Sequence, residues 1–154
     1  EYDYARELSA MLAIPTVIES GGARGQLFVE ASAAGIPAVI IELPGGGQGG
    51  VIDLNAAEEC YQALINLLRQ LGMVAGEAVK PNPTFYGKLQ PILAKDVGPF
   101  MPQIKPGATF EEGAVLGTIG ETAIVAPFAG VATMVRPACY VFKGTPLVNV
   151  APLA

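Results

Sequence analysis

Residues 35–47 read Gly-Ile-Pro-Ala-Val-Ile-Ile-Glu-Leu-Pro-Gly-Gly-Gly. Within this stretch, Ile36 to Leu43 is an almost unbroken apolar run, which is typical of a strand buried on both faces of a parallel sheet. A glycine-rich loop follows at once, and open α/β sheets bind their ligands at the carboxyl ends of their strands. The stretch therefore predicts an α/β fold in which Glu42 stands at the ligand-binding edge of the sheet.

Glu42 is the leading candidate for a catalytic residue. Burial among Ile40, Ile41 and Leu43 would disfavour the charged form of its carboxyl group. A carboxyl group tuned in this way can take a proton from an attacking water molecule and return it to a leaving amine. A glutamate at this position could equally cap the end of the sheet or pair with a lysine, and composition does not choose between the two roles.

The sequence on either side alternates helices with short strands. Helical spacing of apolar residues predicts helices over residues 2–13, 26–34 and 54–71, and a β-branched run predicts a strand over residues 16–19. Strands that alternate with helices through short links lie parallel in an α/β layer. Two strands are too few for an independent sheet, so residues 1–75 are interpreted as the C-terminal part of an α/β domain.

The second part of the chain is predicted to be a separate β-domain. Residues 76–97 are irregular and carry several prolines, which indicates a linker. Residues 98–154 contain an internal repeat with a period of 31, which relates Gly113 to Gly144. Each copy is predicted to form a strand, a glycine turn and a strand. The duplication resembles the half-barrel repeats of biotinyl/lipoyl-type domains, so we expect a small β-sandwich or barrel.

The same resemblance raises the hypothesis of a cofactor carrier. Carriers of this type present a lysine at the hairpin tip between the two repeats. No lysine lies between Lys105 and Lys143, so the attachment residue is absent. The β-domain is better interpreted as a cap, a scaffold or a binding module.

Composition and charge exclude several classes of protein. Apolar residues make up 51% of the chain and charged residues 15%, which is typical of a globular protein. The net charge of −5 leaves no basic stripe for nucleic acid, and no apolar run reaches the roughly 18–20 residues that cross a bilayer. Cys60 and Cys139 lie far apart in the sequence and are expected to pack as free thiols, which fits a reducing cytoplasm.

The order of these features resembles the succinylglutamate desuccinylase/aspartoacylase family. In that family a Gly-Ile-Pro-like approach enters a strand that ends in Glu-Leu-Gly-Gly, and the glutamate is the general acid/base. Here residues 35–37, Gly-Ile-Pro, lead to Glu42 and Leu43, although Pro44 stands where the family usually has glycine. A helix after the glycine loop and a C-terminal β-domain follow in the family's order.

The resemblance implies a zinc-carboxypeptidase-like α/β fold and a zinc-dependent deacylase that hydrolyses the amide bond of an N-acyl amino acid or a similar small substrate. In the family the zinc is held by a histidine and a glutamate close together and by a second histidine, all in the N-terminal half. This chain contains no histidine. We therefore expect the C-terminal half of such an enzyme, with zinc in the full-length protein, no metal ligand here and no activity of the chain alone.

Two further residues are candidates for substrate binding. Arg24 lies in a glycine-rich loop after the first predicted strand, on the same side of the sheet as Glu42 if the strands are parallel. Its guanidinium could hold the carboxylate of an acyl amino acid through two hydrogen bonds, although an arginine exposed only to solvent is the simpler interpretation. Gln26 and Gln48 are weaker candidates for hydrogen bonds to the substrate.

The principal alternative is a non-catalytic binding or assembly module that uses the β-domain to contact a partner or a second copy. An upstream segment with a His-x-x-Glu-like pair would favour the enzyme over the module. In a sheet with so few strands, exposed edges and apolar faces also predict a homo-oligomer.

Overall fold

The computed structural model describes residues 2–43 and 53–154, and it divides the chain into two compact units. Unit 1 comprises Glu1–Val17 and Gly21–Thr84, and unit 2 comprises Ile18–Ser20 and Phe85–Ala154. The division falls within a two-stranded sheet formed by β1 (Thr16–Ile18) and β2 (Thr84–Tyr86). Together the units form a mixed α/β fold with three described helices and mainly antiparallel strands.

Three helices form in unit 1 where apolar periodicity predicts them. They are α1 (Tyr2–Met11), α2 (Leu27–Ala33) and α3 (Leu54–Gln70). Gly35 and Gly72 follow α2 and α3 with φ of 79° and 69°, a left-handed conformation that glycine adopts without steric cost. Asp53 caps the start of α3, because its carboxylate accepts hydrogen bonds from the backbone N–H groups of Asn55 and Ala56 at 2.9 and 3.2 Å.

The strand predicted from Ile36 to Leu43 is not formed among the described residues. The segment belongs to no described sheet, and Ile36 is 59% exposed. An apolar run favours a strand only where a neighbouring strand satisfies its backbone groups, and the described residues offer it none. The strand β1 pairs instead with β2, where Thr84 N–H donates to Pro15 O at 2.8 Å.

Small residues and one asparagine form the inner face of α3. Ala56, Ala63 and Asn66 are buried, whereas Tyr61 and Leu64 are exposed. The Asn66 amide donates to Met11 O at 2.9 Å and to Val79 O at 3.2 Å, and its carbonyl accepts from Val79 N–H at 2.7 Å. This side chain therefore ties α3 to the end of α1 and to the chain that follows α3.

Unit 2 consists of two four-stranded antiparallel sheets, in the orders β3-β10-β8-β5 and β7-β6-β4-β9. The strands are β3 (Gln90–Leu93), β4 (Gly98–Pro102), β5 (Thr109–Phe110), β6 (Val115–Ile119), β7 (Thr122–Val125), β8 (Gly130–Val135), β9 (Cys139–Val141) and β10 (Pro146–Pro152). Residues 76–97, predicted to be an irregular linker, contain β2 and β3. The strand β3 is ordered because it pairs with β10 at the edge of its sheet.

The internal repeat has a direct structural counterpart. The strands β4, β5 and β6 of the first copy correspond to β8, β9 and β10 of the second. In each copy the first and third strands pair with each other, and the middle strand pairs with the first strand of the other copy. Leu116 and Leu147, at the same position of the two copies, are both 0% exposed.

The two sheets share one hydrophobic core and remain open at their edges. Buried residues of both sheets meet in this core, including Phe100, Leu116 and Ile124 from one sheet and Ala132 and Val150 from the other. Neither sheet closes on itself. A biotinyl/lipoyl-like barrel is therefore not shown, because the edge strands of both sheets have no further strand partner among the described residues.

Cys60 on α3 and Cys139 on β9 are free thiols, each half-buried. Over the part of the chain that the structure describes, no helix is both long enough and apolar enough to cross a membrane.

Candidate functional site

The loop between β1 and α2 is held by two side chains at the start of α2. The Gln26 side-chain carbonyl accepts a hydrogen bond from Ala23 N–H at 2.6 Å. The Glu30 carboxylate accepts one from Gly25 N–H at 2.7 Å. These bonds fix the backbone on both sides of Arg24, so the loop presents that residue in a defined place.

Gly22 lets this loop lie directly on α2. Its φ is 53°, and a Cβ at this position would overlap Val29 and lie 2.6 Å from Phe28 Cζ. Only a residue without a side chain accepts both the left-handed conformation and the close approach. The glycine-rich sequence therefore has a structural reason in this loop.

Arg24 stands at the exposed tip of the loop. Its guanidinium has no hydrogen-bond or ion-pair partner within residues 2–43 and 53–154, whereas Gln26 is engaged through its carbonyl oxygen and keeps its amide group as a donor. The structure thus brings Arg24 and Gln26 into one ordered loop. Their roles in substrate binding stay predictions.

An open apolar groove joins this loop to the segment that carries Glu42. The groove has a volume of about 590 Å³. Gln26 is a polar residue in its lining, and the other lining residues are apolar: Leu8, Leu27, Phe28, Ala38, Val39 and Ile40. The chain turns at the end of α2, where Ile36 N–H donates to Ala31 O at 2.9 Å, and it then continues along the groove. Gln26 and residues 38–40 therefore face the same space.

Glu42 follows the groove-lining residues and is exposed. The expected burial of its carboxyl group among Ile40, Ile41 and Leu43 is wrong for the described residues, because this segment has no sheet neighbours and Ile40 and Leu43 are themselves exposed. The glycine loop after Glu42, with Pro44 and Gln48, lies outside the described residues. Glu42 as a catalytic residue stays a prediction.

The described residues do not fit a zinc site. Within the described residues, no group of three or more cysteine, aspartate or glutamate side chains could hold a metal ion. The sequence contains no histidine to complete one. The donor chemistry that the family resemblance implies for zinc is therefore not assembled by these residues.

Two residues important for the site's framework escaped the sequence analysis. Glu30 holds the loop at Gly25, and Asn66 joins α3 to α1. A glutamate in the first turn of a helix that follows a loop is a usable signal for such a contact. Asn66 left no comparable signal, because its partners Met11 and Val79 lie far away in the sequence.

The fold of the chain is similar to solved structures of the succinylglutamate desuccinylase/aspartoacylase family. A family protein from Shewanella amazonensis is 24% identical with a TM-score of 0.68, over 96% of this chain and 48% of that protein. The ectoine utilization protein EutE (DoeB) from Ruegeria pomeroyi is 18% identical with a TM-score of 0.75, over 97% of this chain and 51% of that protein. A family member from Rhodobacter sphaeroides is 14% identical with a TM-score of 0.73, over 99% of this chain and 50% of that protein.

Sequence comparison alone does not reach these proteins. No protein-family model matches the chain, and no curated protein sequence matches it. The chain spans about half the length of the solved structures that it resembles. At these identities the likeness shows the fold, and it confirms the resemblance on which the expected deacylase architecture rests.

Proposed function

We propose that this chain forms the glutamate-bearing half of a deacylase that hydrolyses the amide bond of an N-acyl amino acid or a similar small substrate. The main support is that 96–99% of the chain matches half of each of three solved deacylase-family structures. The match includes both units, so it does not depend on the β-domain alone. The order of the Gly-Ile-Pro approach, Glu42, the helix after the glycine loop and the C-terminal β-domain agrees with the family resemblance.

In this proposal Glu42 moves the proton. Amide hydrolysis requires that water lose a proton as it attacks and that the departing amine gain one. An exposed carboxylate that follows groove-lining residues in the chain can perform both transfers. Because Glu42 is exposed here, we propose that its working environment forms only when further polypeptide covers the segment.

Arg24 and Gln26 bind the substrate in this proposal. The exposed guanidinium of Arg24 matches a carboxylate, which it can hold through two parallel hydrogen bonds. Gln26 lines the groove together with residues 38–40, and its amide group can donate a hydrogen bond there. An N-acyl amino acid offers both partners, a carboxylate for the arginine and an amide carbonyl for the glutamine.

Zinc, if the family chemistry holds, is bound by residues outside this chain. The described residues assemble no metal-binding group, so this chain contributes the carboxylate and the substrate contacts but not the metal ligands. We therefore expect the chain alone to carry no stoichiometric zinc and to show no turnover.

A chimera tests the proposal directly. The first half of the Shewanella amazonensis protein is joined to this chain and assayed against a panel of N-acyl amino acids that includes N-succinylglutamate. We expect hydrolysis that Glu42→Gln lowers by about 100-fold or more, the range for loss of a general acid/base. The matched control is Glu59→Gln, an exposed glutamate on α3, which should leave the rate unchanged.

Substitution of Arg24 separates binding from chemistry. Arg24→Ala in the same chimera should raise KM more than it lowers kcat, because the guanidinium is proposed to hold the unreactive carboxylate.

Equal rates in wild type and Glu42→Gln would contradict the assignment of Glu42. A folded chimera without any hydrolysis would favour the non-catalytic binding module.

The chain alone provides the second test. Its zinc content and its hydrolysis of the same panel are measured with and without added zinc. Absence of both is the expected result. Stoichiometric zinc together with turnover would show that the chain builds a histidine-free metal site. It would contradict the proposal that the zinc ligands lie outside this chain.

A further inference from the structure

The outer face of the sheet β7-β6-β4-β9 is apolar, and its large side chains are exposed. Its outward residues alternate along the strands with core residues such as Phe100 and Ile124. We call it the open face, and it includes Pro99, Met101, Val115, Thr118, Ala123, Val125 and Tyr140. Met101 is 55% exposed and Tyr140 63% exposed. An antiparallel sheet normally turns a polar face to solvent, so this composition is unusual.

The corresponding face of the other sheet is partly covered by the chain itself. Val131 and Ala151 lie on that face and are buried, in a cluster with Tyr86 to which Ile18 adds. The two sheets arise from equivalent repeats, yet among residues 2–43 and 53–154 a buried cluster of this kind forms on one sheet only. Of the two equivalent outer faces, the open face is thus the one whose apolar side chains remain exposed.

The open face also lacks the usual protection against association. None of the residues in β4, β6, β7 and β9 is charged. The edge strands β7 and β9 therefore present no charged side chain to discourage docking. Tyr140 packs edge to face against the exposed Phe142, with ring centroids 5.8 Å apart, and this adds an aromatic anchor of the kind that is enriched at interfaces.

We infer that the open face binds a second copy of this chain, sheet against sheet. Glu121 lies in the turn between β6 and β7, and Lys143 follows β9, at the same end but opposite edges of the sheet. A twofold axis parallel to the strands places β7 of one copy over β9 of the other. Glu121 of each copy then faces Lys143 of its partner, so the contact closes with two matched charge pairs.

The net charge opposes a contact between two copies less strongly through this neutral face than through an acidic surface. Each copy carries a charge of −5, so two copies repel except where the contact is neutral or complementary. The open face is neutral, and its flanking charges are complementary in the twofold arrangement. The pairing is an aligned packing of two sheets, a common arrangement for β-structures.

A matched pair of methionines tests the inference. Met101 pairs with Thr118 on the open face, and Met134 pairs with Asn149 in the corresponding position of the other sheet. We expect a dimer by sedimentation velocity of the full chain, and Met101→Glu should raise its dissociation constant by about 30-fold or more, the effect of losing an interface hot spot. Met134→Glu should leave the dissociation constant unchanged.

Three results would overturn the inference. The first is a wild-type chain that stays monomeric at all accessible concentrations. The second is a dimer that Met101→Glu does not weaken although circular dichroism shows a folded protein. The third is a dimer that dissociates in Ile36→Lys, since Ile36 is an exposed apolar residue of unit 1 and would place the contact elsewhere.

A charge exchange tests the orientation. Lys143→Glu and Glu121→Lys should each weaken the dimer, and the double variant should restore it, because the two charges meet across the twofold axis. Failure of the double variant to restore association would contradict the proposed axis.

Discussion

The two units of this chain bury their apolar residues to very different extents. Unit 2 has a complete core in which Leu116 and Leu147 are fully buried. Unit 1 buries mainly small residues of α3 and Leu12, while Leu27, Ile36 and Tyr61 stay exposed. Both units are rich in apolar sequence, so hydrophobicity alone does not explain the difference.

The difference lies in where each unit finds its strand partners. In unit 2 the repeat brings two matched sets of strands together within a short sequence, and each set completes the sheet of the other. In unit 1 the strand-like segment from Ile36 to Leu43 finds no partner among the described residues. A repeat forms a core from its own sequence, whereas a buried parallel strand depends on neighbours from elsewhere.

The largest expected effect is in the repeat core. Leu147→Ala should destabilise unit 2 by about 3 kcal/mol, because it leaves a cavity at a fully buried position. Leu116→Ala should lower the free energy of unfolding by a similar amount, since the two residues are equivalent. As a control, Leu64→Ala at an exposed position of unit 1 should lower it by about 0.5 kcal/mol or less. Urea unfolding monitored by circular dichroism gives all three values, and unequal costs at 116 and 147 would break the equivalence of the repeats.

A glycine tests how closely two strands of one sheet approach. A Cβ at Gly130 would overlap the carbonyl oxygen of Ala151 on β10. Gly130→Ala should therefore destabilise unit 2 by about 3 kcal/mol, because a backbone group cannot rotate away as a side chain can. Gly120→Ala, where φ is 56° and the space is open, should cost about 1 kcal/mol. Thermal unfolding that shows equal losses would contradict the steric explanation.

Asn66 tests the buried polar link between α3, the end of α1 and the chain that follows α3. Asn66→Ala removes the hydrogen bonds to Met11 O, Val79 O and Val79 N–H. Val79 O keeps the Gln70 amide as a donor at 2.9 Å, whereas Met11 O and Val79 N–H lose this partner, so we expect a loss of about 2 kcal/mol. Asn55→Ala, on the exposed first turn of the same helix, should change the unfolding free energy by about 0.5 kcal/mol or less. Similar values for both variants would mean that the link between α3 and α1 contributes little.

The smallest expected effect sharpens the comparison most. Ile36→Lys in this chain should change the unfolding free energy by about 0.5 kcal/mol or less, because Ile36 is exposed. In the chimera with the first half of the Shewanella amazonensis protein, the same substitution should cost about 2 kcal/mol or more, since the segment would then be buried. A large cost in this chain alone would show that unit 1 already buries the segment.

Sequence reasoning was most successful where local chemistry decides the structure. The helix ends at Gly35 and Gly72, together with the glycine turns at Gly113 and Gly144, follow from steric rules that act within a few residues. The repeat was also visible, because its two copies must satisfy the same packing. The family resemblance rested on the order of such local features and is matched by the fold comparison.

For the candidate site, the sequence identified the residues but not their surroundings. It selected Arg24, Gln26 and Glu42 for their chemical groups and their glycine-rich context. It could not show that Gln26 and Glu30 fasten the loop, because those hydrogen bonds depend on how the loop folds back on α2. It also placed Glu42 in a buried strand, whereas the described structure leaves that residue exposed.

By itself, the sequence determined the helices with their caps and the duplicated strand pattern, because backbone sterics and periodic burial act over short distances. Only the tertiary structure decided that β1 pairs with β2, that the two repeats exchange their middle strands between open sheets, and that the segment before Glu42 has no described neighbour. Strand pairing joins residues that are distant in the chain, and an apolar run does not specify which strand it will pair with.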